Sequence, residues 1–351
     1  MKKSLHLSIA LLSLLLLATG CFEWEHEPQP YLAVTGTYIL NGGSAGADAS
    51  LCGYVYKGKE SSGDMFLKAN GKSLGAKAED MLCLNGYFYI CATSDKVLYK
   101  TDSLGKIVTE IVTPETARSP RHITIYKDHL YVTYAEGCVA EIDTATSAIR
   151  VMELGGTPNG IAAAGDKVYI ALSGTESTEV AIIGSRTFVR MKSLAVACNP
   201  GKMVTATDRL IYLLSNGDGL GNKPVVQVID SQDDSVYPLN SIRNALDIAA
   251  VPGYLVYVLT KGDADRFFVC PIDAALGLAV QENMLSSEEL VAPPTSISAD
   301  PVNGFVYLGQ EDASGNGSVK VFSTQGNCLD TFKTGSSAPA GAFFSTTIQY
   351  L

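Results

Sequence analysis

The sequence is short of positive charge, has four histidines and a single tryptophan, and has no long apolar run beyond its first eighteen residues. Across 351 residues, 26 Lys and Arg stand against 36 Asp and Glu, a formal charge of −10 at pH 7. Without Lys2 and Lys3 the balance becomes 24 against 36, or −12. A chain with that excess and no basic run repels a phosphate backbone, so nucleic acid is not an expected partner. His6 and His26 precede the folded part, which leaves only His122 and His129, and no HExxH pair exists. No P-loop and no CxxC pair occur, so the spacings of a phosphate cradle and of structural zinc are missing. What is abundant is apolar residues, at 46%, together with 33 Gly and 17 Tyr, a composition that excludes a disordered chain and points to a globular one.

Lys2 and Lys3 precede an apolar stretch from Leu5 to Ala18, too short for a permanent membrane span but fitting the central region of a secretory signal. It closes with Leu17, Ala18, Thr19, Gly20 and Cys21, which resembles the bacterial lipobox. That resemblance implies that residues 1–20 are a removable leader and that Cys21 carries acyl chains, enough for stable membrane attachment. Residues 21–35 then form the lipidated cysteine and a tether, kept extended by Glu23, Glu25, Glu27, Pro28 and Pro30. Acidic residues after such a cysteine also resemble the surface-export signal of Bacteroidetes lipoproteins, which implies an outer-membrane, cell-surface location. The other seven cysteines mostly sit in strand-like apolar runs, where they act as small hydrophobes rather than as a disulfide framework.

From residue 36 to 351 one unit recurs. A β-prone run centred on tyrosine appears at Tyr38, Tyr89, Tyr131, Tyr169, Tyr212, Tyr257 and Tyr307, at intervals of 38 to 51 residues. Before it stands a run that often opens with proline, as at Pro120, Pro158, Pro200 and Pro294, and ends in a turn. After it come a polar loop, a strand ending in an Ile-Asp step such as Ile142-Asp143 or Ile229-Asp230, and a fourth, alternating strand. Only Ser286 to Val291 and Lys72 to Met81 have helix-compatible composition. The expected fold is therefore all-β, a seven-bladed propeller of four-stranded blades, since a pair of sandwiches would not give a sevenfold period. Gly36 to Leu40 lacks a preceding inner strand and Pro339 to Ser345 lacks a following blade, so the two ends are expected to share one blade.

The Pro-initiated inner strand, the Tyr-centred second strand and the Ile-Asp third strand resemble the YVTN/YncE-like seven-bladed propellers. Within that group, Tyr38-Ile39-Leu40-Asn41-Gly42-Gly43-Ser44, the stretch Gly71-Lys72-Ser73-Leu74-Gly75 leading to Asp80-Met81, and Asn216-Gly217-Asp218 resemble surface lipoproteins of gut Bacteroidetes. The resemblance implies a surface protein that binds a corrinoid such as cobalamin and passes it to a TonB-dependent outer-membrane transporter. It implies neither a catalytic role nor a resident cofactor.

In a propeller, the loops that enter the inner strands and those joining the second and third strands gather around the central channel on one face. By the repeat alignment Asn41, Asp80, Arg121, Asn159, Asn199, Asn216 and Asp247 are the candidate ligand-binding residues, with Arg118, Lys202, Asn222, Arg266 and Thr295 close by. Hydrogen bonds from rigid strands orient a ligand without the cost of ordering loops. Three other readings stay open at this point. His122 could ligate a metal or a corrin cobalt, Asn216, Asp218 and Asn222 could hold calcium, and the carboxylate pairs Glu288-Glu289 and Glu311-Asp312 could serve acid-base chemistry. An adhesive, glycan-binding or protein-interaction propeller is the alternative function, and a metal-dependent propeller enzyme a further one.

Overall fold

The structure, a computed structural model, describes residues 29–350 except 45, 56–57, 264–265, 286–289 and 291–292. The leader, Cys21, Glu288 and Glu289 lie outside the described residues, as does most of the expected Ser286 to Val291 helix. Residues Val34–Thr346 form one compact unit. It is a seven-bladed β-propeller of seven antiparallel sheets in succession, six with four strands and one with three among the described residues. Blade 1 combines residues 30–64 with the C-terminal strand Pro339–Tyr350, and the others cover 81–111, 120–153, 157–195, 200–238, 245–273 and 294–333. In blade 1 the C-terminal strand is innermost and pairs with Pro30–Asn41, so the ends close the ring as expected. That first strand already begins at Pro30, within the stretch expected to be tether. In a second, smaller unit made of the two chain ends, the Tyr31 hydroxyl donates to Gln349 Oε1 at 2.7 Å.

Two-residue alternation in the strands decides the packing. Neighbouring residues point to opposite faces of a blade, so Leu130 and Val132 enter the cluster shared with blade 2, while Tyr131 enters the one shared with blade 4. The apolar side chains thus gather into seven clusters, each at one junction between consecutive blades. The repeated tyrosine serves this arrangement with its ring and its hydroxyl. Tyr131 donates to the Ser185 carbonyl at 2.9 Å, Tyr169 to Asp234 Oδ1 at 2.6 Å, and Tyr257 to the Gly304 carbonyl at 2.9 Å. Each bond runs from the second strand of one blade to a turn of the next. Burial pushes these hydroxyls up from their ordinary pKa, so they stay protonated donors at any physiological pH.

One expectation needs correction. No helix forms over Lys72 to Met81; the helix spans Met65–Asn70 instead. Its ends are legible in chemistry: the Asp64 side chain accepts from the Leu67 N–H, and Gly71 takes the left-handed conformation past the last turn. Blade 6 keeps three strands among the described residues. The chain after Asp273 meets the open edge irregularly, through an isolated bridge between Ile272 and Ala279 and a bond from the Met284 N–H to the Val269 carbonyl. All seven cysteines in the described residues are free, and burial pushes the Cys52 thiol up to about 12.

Replacing Tyr257 by Phe should lower stability by about 1 kcal/mol, because the buried Gly304 carbonyl loses its partner. Tyr254→Phe, at an exposed tyrosine three residues away, should change it by less than about 0.5 kcal/mol. Urea midpoints of the two variants check this, and equal shifts would contradict the inter-blade role of the hydroxyl.

Candidate functional site: an axial cavity built from strand bulges

Five inner strands begin with an extra residue. The register slips between Pro120 and Ile123, Pro158 and Ile161, Pro200 and Met203, Ala245 and Asp247, and Pro294 and Ser296. Proline suits the first position because it has no N–H to give to the ladder, and a bulge after it re-aims the next side chains. Those side chains point into one cavity of about 450 Å³ at the end of the channel. Arg121, His122, Asn159, Lys202, Leu246 and Thr295 reach it from the bulges; Lys77 and Glu79 come from the connector into blade 2, and Gly42 and Ala340 from blade 1. Six blades contribute directly, and blade 2 through the connector that leads into it. The backbones close tightly here: a Cβ at Gly160 would lie 2.1 Å from the Gly201 carbonyl oxygen, so only glycine fits between these inner strands.

Of the seven candidates, Arg121, Asn159, Asn216 and Asp247 line this cavity, as do Lys202 and Thr295. Asn41, Asp80 and Asn199 do not line it. Asn41 is buried inside blade 1 and donates to Ser50 Oγ at 3.0 Å. Asp80 is a strap between blades: its carboxylate accepts from the Met81 N–H at 2.8 Å and the Ile123 N–H at 3.1 Å. Asp247 repeats that device toward Ile248 and Ile297 while also facing the cavity. Asn199 adopts φ 58 and ties two loops, accepting from the Gly174 N–H and donating to the Gly217 carbonyl. Arg118 pairs with Glu153, and Asn222 donates back to Asp218, whose Oδ1 also accepts three backbone N–H groups. These bonds hold Asp218 below its ordinary pKa and close the loop on itself.

The charges of the cavity are paired within it. Lys202 lies 2.7 Å from Asp247, and Arg121 Nε donates to Glu79 at 2.8 Å while Lys77 pairs with the same carboxylate. Burial pushes Glu79 up, but the bonds from Lys77 and Arg121 reverse this and leave it below its ordinary range. Asn159 donates to Ser173 Oγ at 2.7 Å, and its Oδ1 has no partner among the described residues, nor has the Asn216 side chain. His122 Nδ1 stands 3.4 Å from Asp80 Oδ2. Repeat alignment missed Glu79, Lys77 and Leu246. The signal that finds Leu246 is the bulge itself, since the residues following the strand-opening position reach the axis.

A larger cavity, about 540 Å³, opens at blade 6 among Arg243, Lys261, Phe268 and Glu282, beside a sheet that has three strands among the described residues. It draws on one blade and its flanking segments only. Gly42 to Gly46 has the spacing of a nucleophile elbow, but it joins two strands rather than a strand and a helix, and Ser44 donates to Ser337 Oγ at 2.8 Å. Among the described residues no three His, Cys, Asp or Glu side chains are grouped as a metal would require.

Glu79 tests the electrostatics. Because its folded pKa is depressed, its contribution is fully present above the unfolded value, about 4.3, and is lost as pH falls through the lower folded value. Glu79→Gln should therefore destabilise the protein by about 1–3 kcal/mol at pH 7, and the gap should close on acidification below about pH 4. Urea midpoints across pH check this, and a gap that stays constant would contradict it.

Similar folds occur in proteins of distant sequence. A quinonprotein alcohol dehydrogenase-like protein from Bacteroides thetaiotaomicron superposes with a TM-score of 0.63 at 17% identity, over 88% of this chain and 77% of its own. Hydrazine synthase of Kuenenia stuttgartiensis gives 0.57 at 16% identity, over 76% and 92%. U3-55K gives 0.59 at 11% identity, over 82% and 89%. At such identities the likeness concerns the propeller fold alone. No curated protein matches the sequence. The family described as Domain of unknown function (DUF5074) matches residues 35–240, more than half of the chain, and the protein belongs to that family.

Proposed function

We propose that this protein is a binding propeller whose axial cavity holds a polar ligand or partner group through hydrogen bonds from several blades. One observation carries the reading: six blades and the connector into blade 2 converge on one open cavity whose cations are already matched by carboxylates. A strongly anionic ligand would have to displace Asp247 or Glu79 from its partner. A weakly charged ligand with many amide or hydroxyl groups would find donors and acceptors side by side, including the open groups of Asn159 and Asn216. Rigid strands hold these groups, so little ordering entropy opposes binding.

Within that class the finer proposal is a corrinoid, bound at the cell surface by a protein anchored through Cys21 and passed to an outer-membrane transporter. It rests on the sequence resemblance, and His122 favours it, because an imidazole whose Nδ1 edge faces a carboxylate leaves Nε2 for a ligand metal. The alternative is a glycan or a protein surface, which the same donors and acceptors could grip.

Calorimetric titration of the purified protein separates these readings. Cyanocobalamin should bind at micromolar concentration or below, and absence of heat there would remove the corrinoid, leaving neutral oligosaccharides and membrane-protein partners to be tested. For whichever ligand binds, Asn159→Ala and Asn216→Ala should each weaken affinity by about 5- to 150-fold, the loss of one hydrogen bond of about 1–3 kcal/mol. Lys106→Ala, at a hairpin on the opposite face, should leave affinity unchanged. Equal affinity of all three variants would place the ligand elsewhere.

A further inference from the structure

The face opposite the cavity carries most of the protruding apolar side chains found at loop tips. Strand direction fixes which face this is. The strand Pro30–Asn41 ends beside Gly42 in the cavity, and Pro339–Tyr350 starts there, so Val34 and Thr346 lie at the far ends of their strands. The chain therefore enters and leaves the propeller on the side away from the cavity. In blade 6, Ala245–Val251 likewise starts at the cavity, so the turn after it, with Tyr254, is on the far side. The hairpin after Asp273 joins it there, since the Ala274 N–H donates to the Tyr254 carbonyl at 3.0 Å.

On that far side Tyr254 is 73% exposed, Leu276 70% and Leu278 63%, and Leu104, at the corresponding hairpin of blade 2, is 71% exposed. Solvated turns ordinarily carry polar residues, and a cost attaches to four large apolar tips left in water. They stand on blades 6 and 2, on either side of blades 7 and 1, and blade 1 is where the chain ends leave. Twelve residues lie between Cys21 and Val34, a reach of at most about 45 Å when fully extended. A lipid on Cys21 would thus hold this face, rather than the cavity, next to a bilayer.

We propose that the far face rests on the anchoring membrane, with Tyr254, Leu276, Leu278 and Leu104 dipping into the headgroup region and the cavity turned to the medium. The occupant of the patch is a phospholipid surface, and tyrosine and leucine at loop tips suit its interface, where an apolar body meets a polar boundary. The inference rests on the lipid anchor at Cys21.

Fluorescence quenching in the full-length lipidated protein on phosphatidylethanolamine–phosphatidylcholine vesicles tests it. The only tryptophan, Trp24, is first replaced by Phe. Tryptophan is then introduced as Tyr254→Trp or Leu276→Trp, or as Leu220→Trp, on the loop between second and third strands at the cavity side, where Leu220 is 94% exposed. All three positions are exposed, so folding is preserved. Brominated phospholipids should quench the first two at least about twofold more than the third. Equal quenching at all positions, or quenching at Leu220→Trp alone, overturns the orientation in a protein that mass spectrometry finds lipidated. Concentration-dependent shielding of positions 254 and 276 without lipid quenching overturns it in favour of a second copy. An unmodified Cys21 in protein that stays free of vesicles removes the anchor, and the inference with it.

Discussion

No blade of this propeller can bury its two faces by itself. Each sheet of three or four short strands has one face in the cluster it shares with the preceding blade and the other in the cluster it shares with the next. The seven clusters form a ring only because the last strand of the chain becomes the innermost strand of the first blade. Without that pairing, blades 7 and 1 would each expose an apolar face. The tyrosine hydroxyls and the carboxylates of Asp80 and Asp247 add directed bonds across the same junctions, which set one blade's rotation against the next.

The cavity follows from that ring. Inner strands run alongside the axis, and a regular ladder would point their alternate residues at neighbouring blades, where the clusters are. A bulge after the opening proline breaks the alternation once, at the mouth of the channel, and turns polar side chains to the axis without disturbing the packing further along the strand. The polar site and the apolar core thus share strands with little conflict. The paired charges agree with this economy: Glu79 and Asp247 accept bonds that hold the blades together and also present carboxylate edges to the cavity.

The fold was largely legible because its unit repeats. The spacing of Tyr131, Tyr169, Tyr212, Tyr257 and Tyr307, the prolines before them and the Ile-Asp steps after them mark strands that the structure contains, and the orphan segments at both ends mark the closure. The short helix was missed because six residues give no periodic signal, although its Asp64 and Gly71 caps were present in the sequence. The site was legible in part. Alignment selects positions near the right end of each blade, but it does not distinguish a residue before the bulge from one inside it. Asn199, just before a bulge, therefore stands beside Asn159, inside one, as a candidate, although only Asn159 faces the axis. Of the two residues at the ends of second strands, Asn216 lines the cavity while Asn41 is buried in blade 1. A side chain's direction at a bulge depends on the count of residues against the partner strand, and that count is a property of pairing, not of one strand's sequence.

The central claim is that the bulge residues form the binding surface, and amide hydrogen exchange of the intact protein with and without saturating ligand, cyanocobalamin first, tests it most directly. Protection should appear together in segments 77–80, 121–123, 159–161, 201–203 and 295–297, which are far apart in sequence and meet only at the axis. Protection confined to segments 241–244 and 260–263, beside the blade 6 cavity, or to the hairpins of the far face, would contradict it.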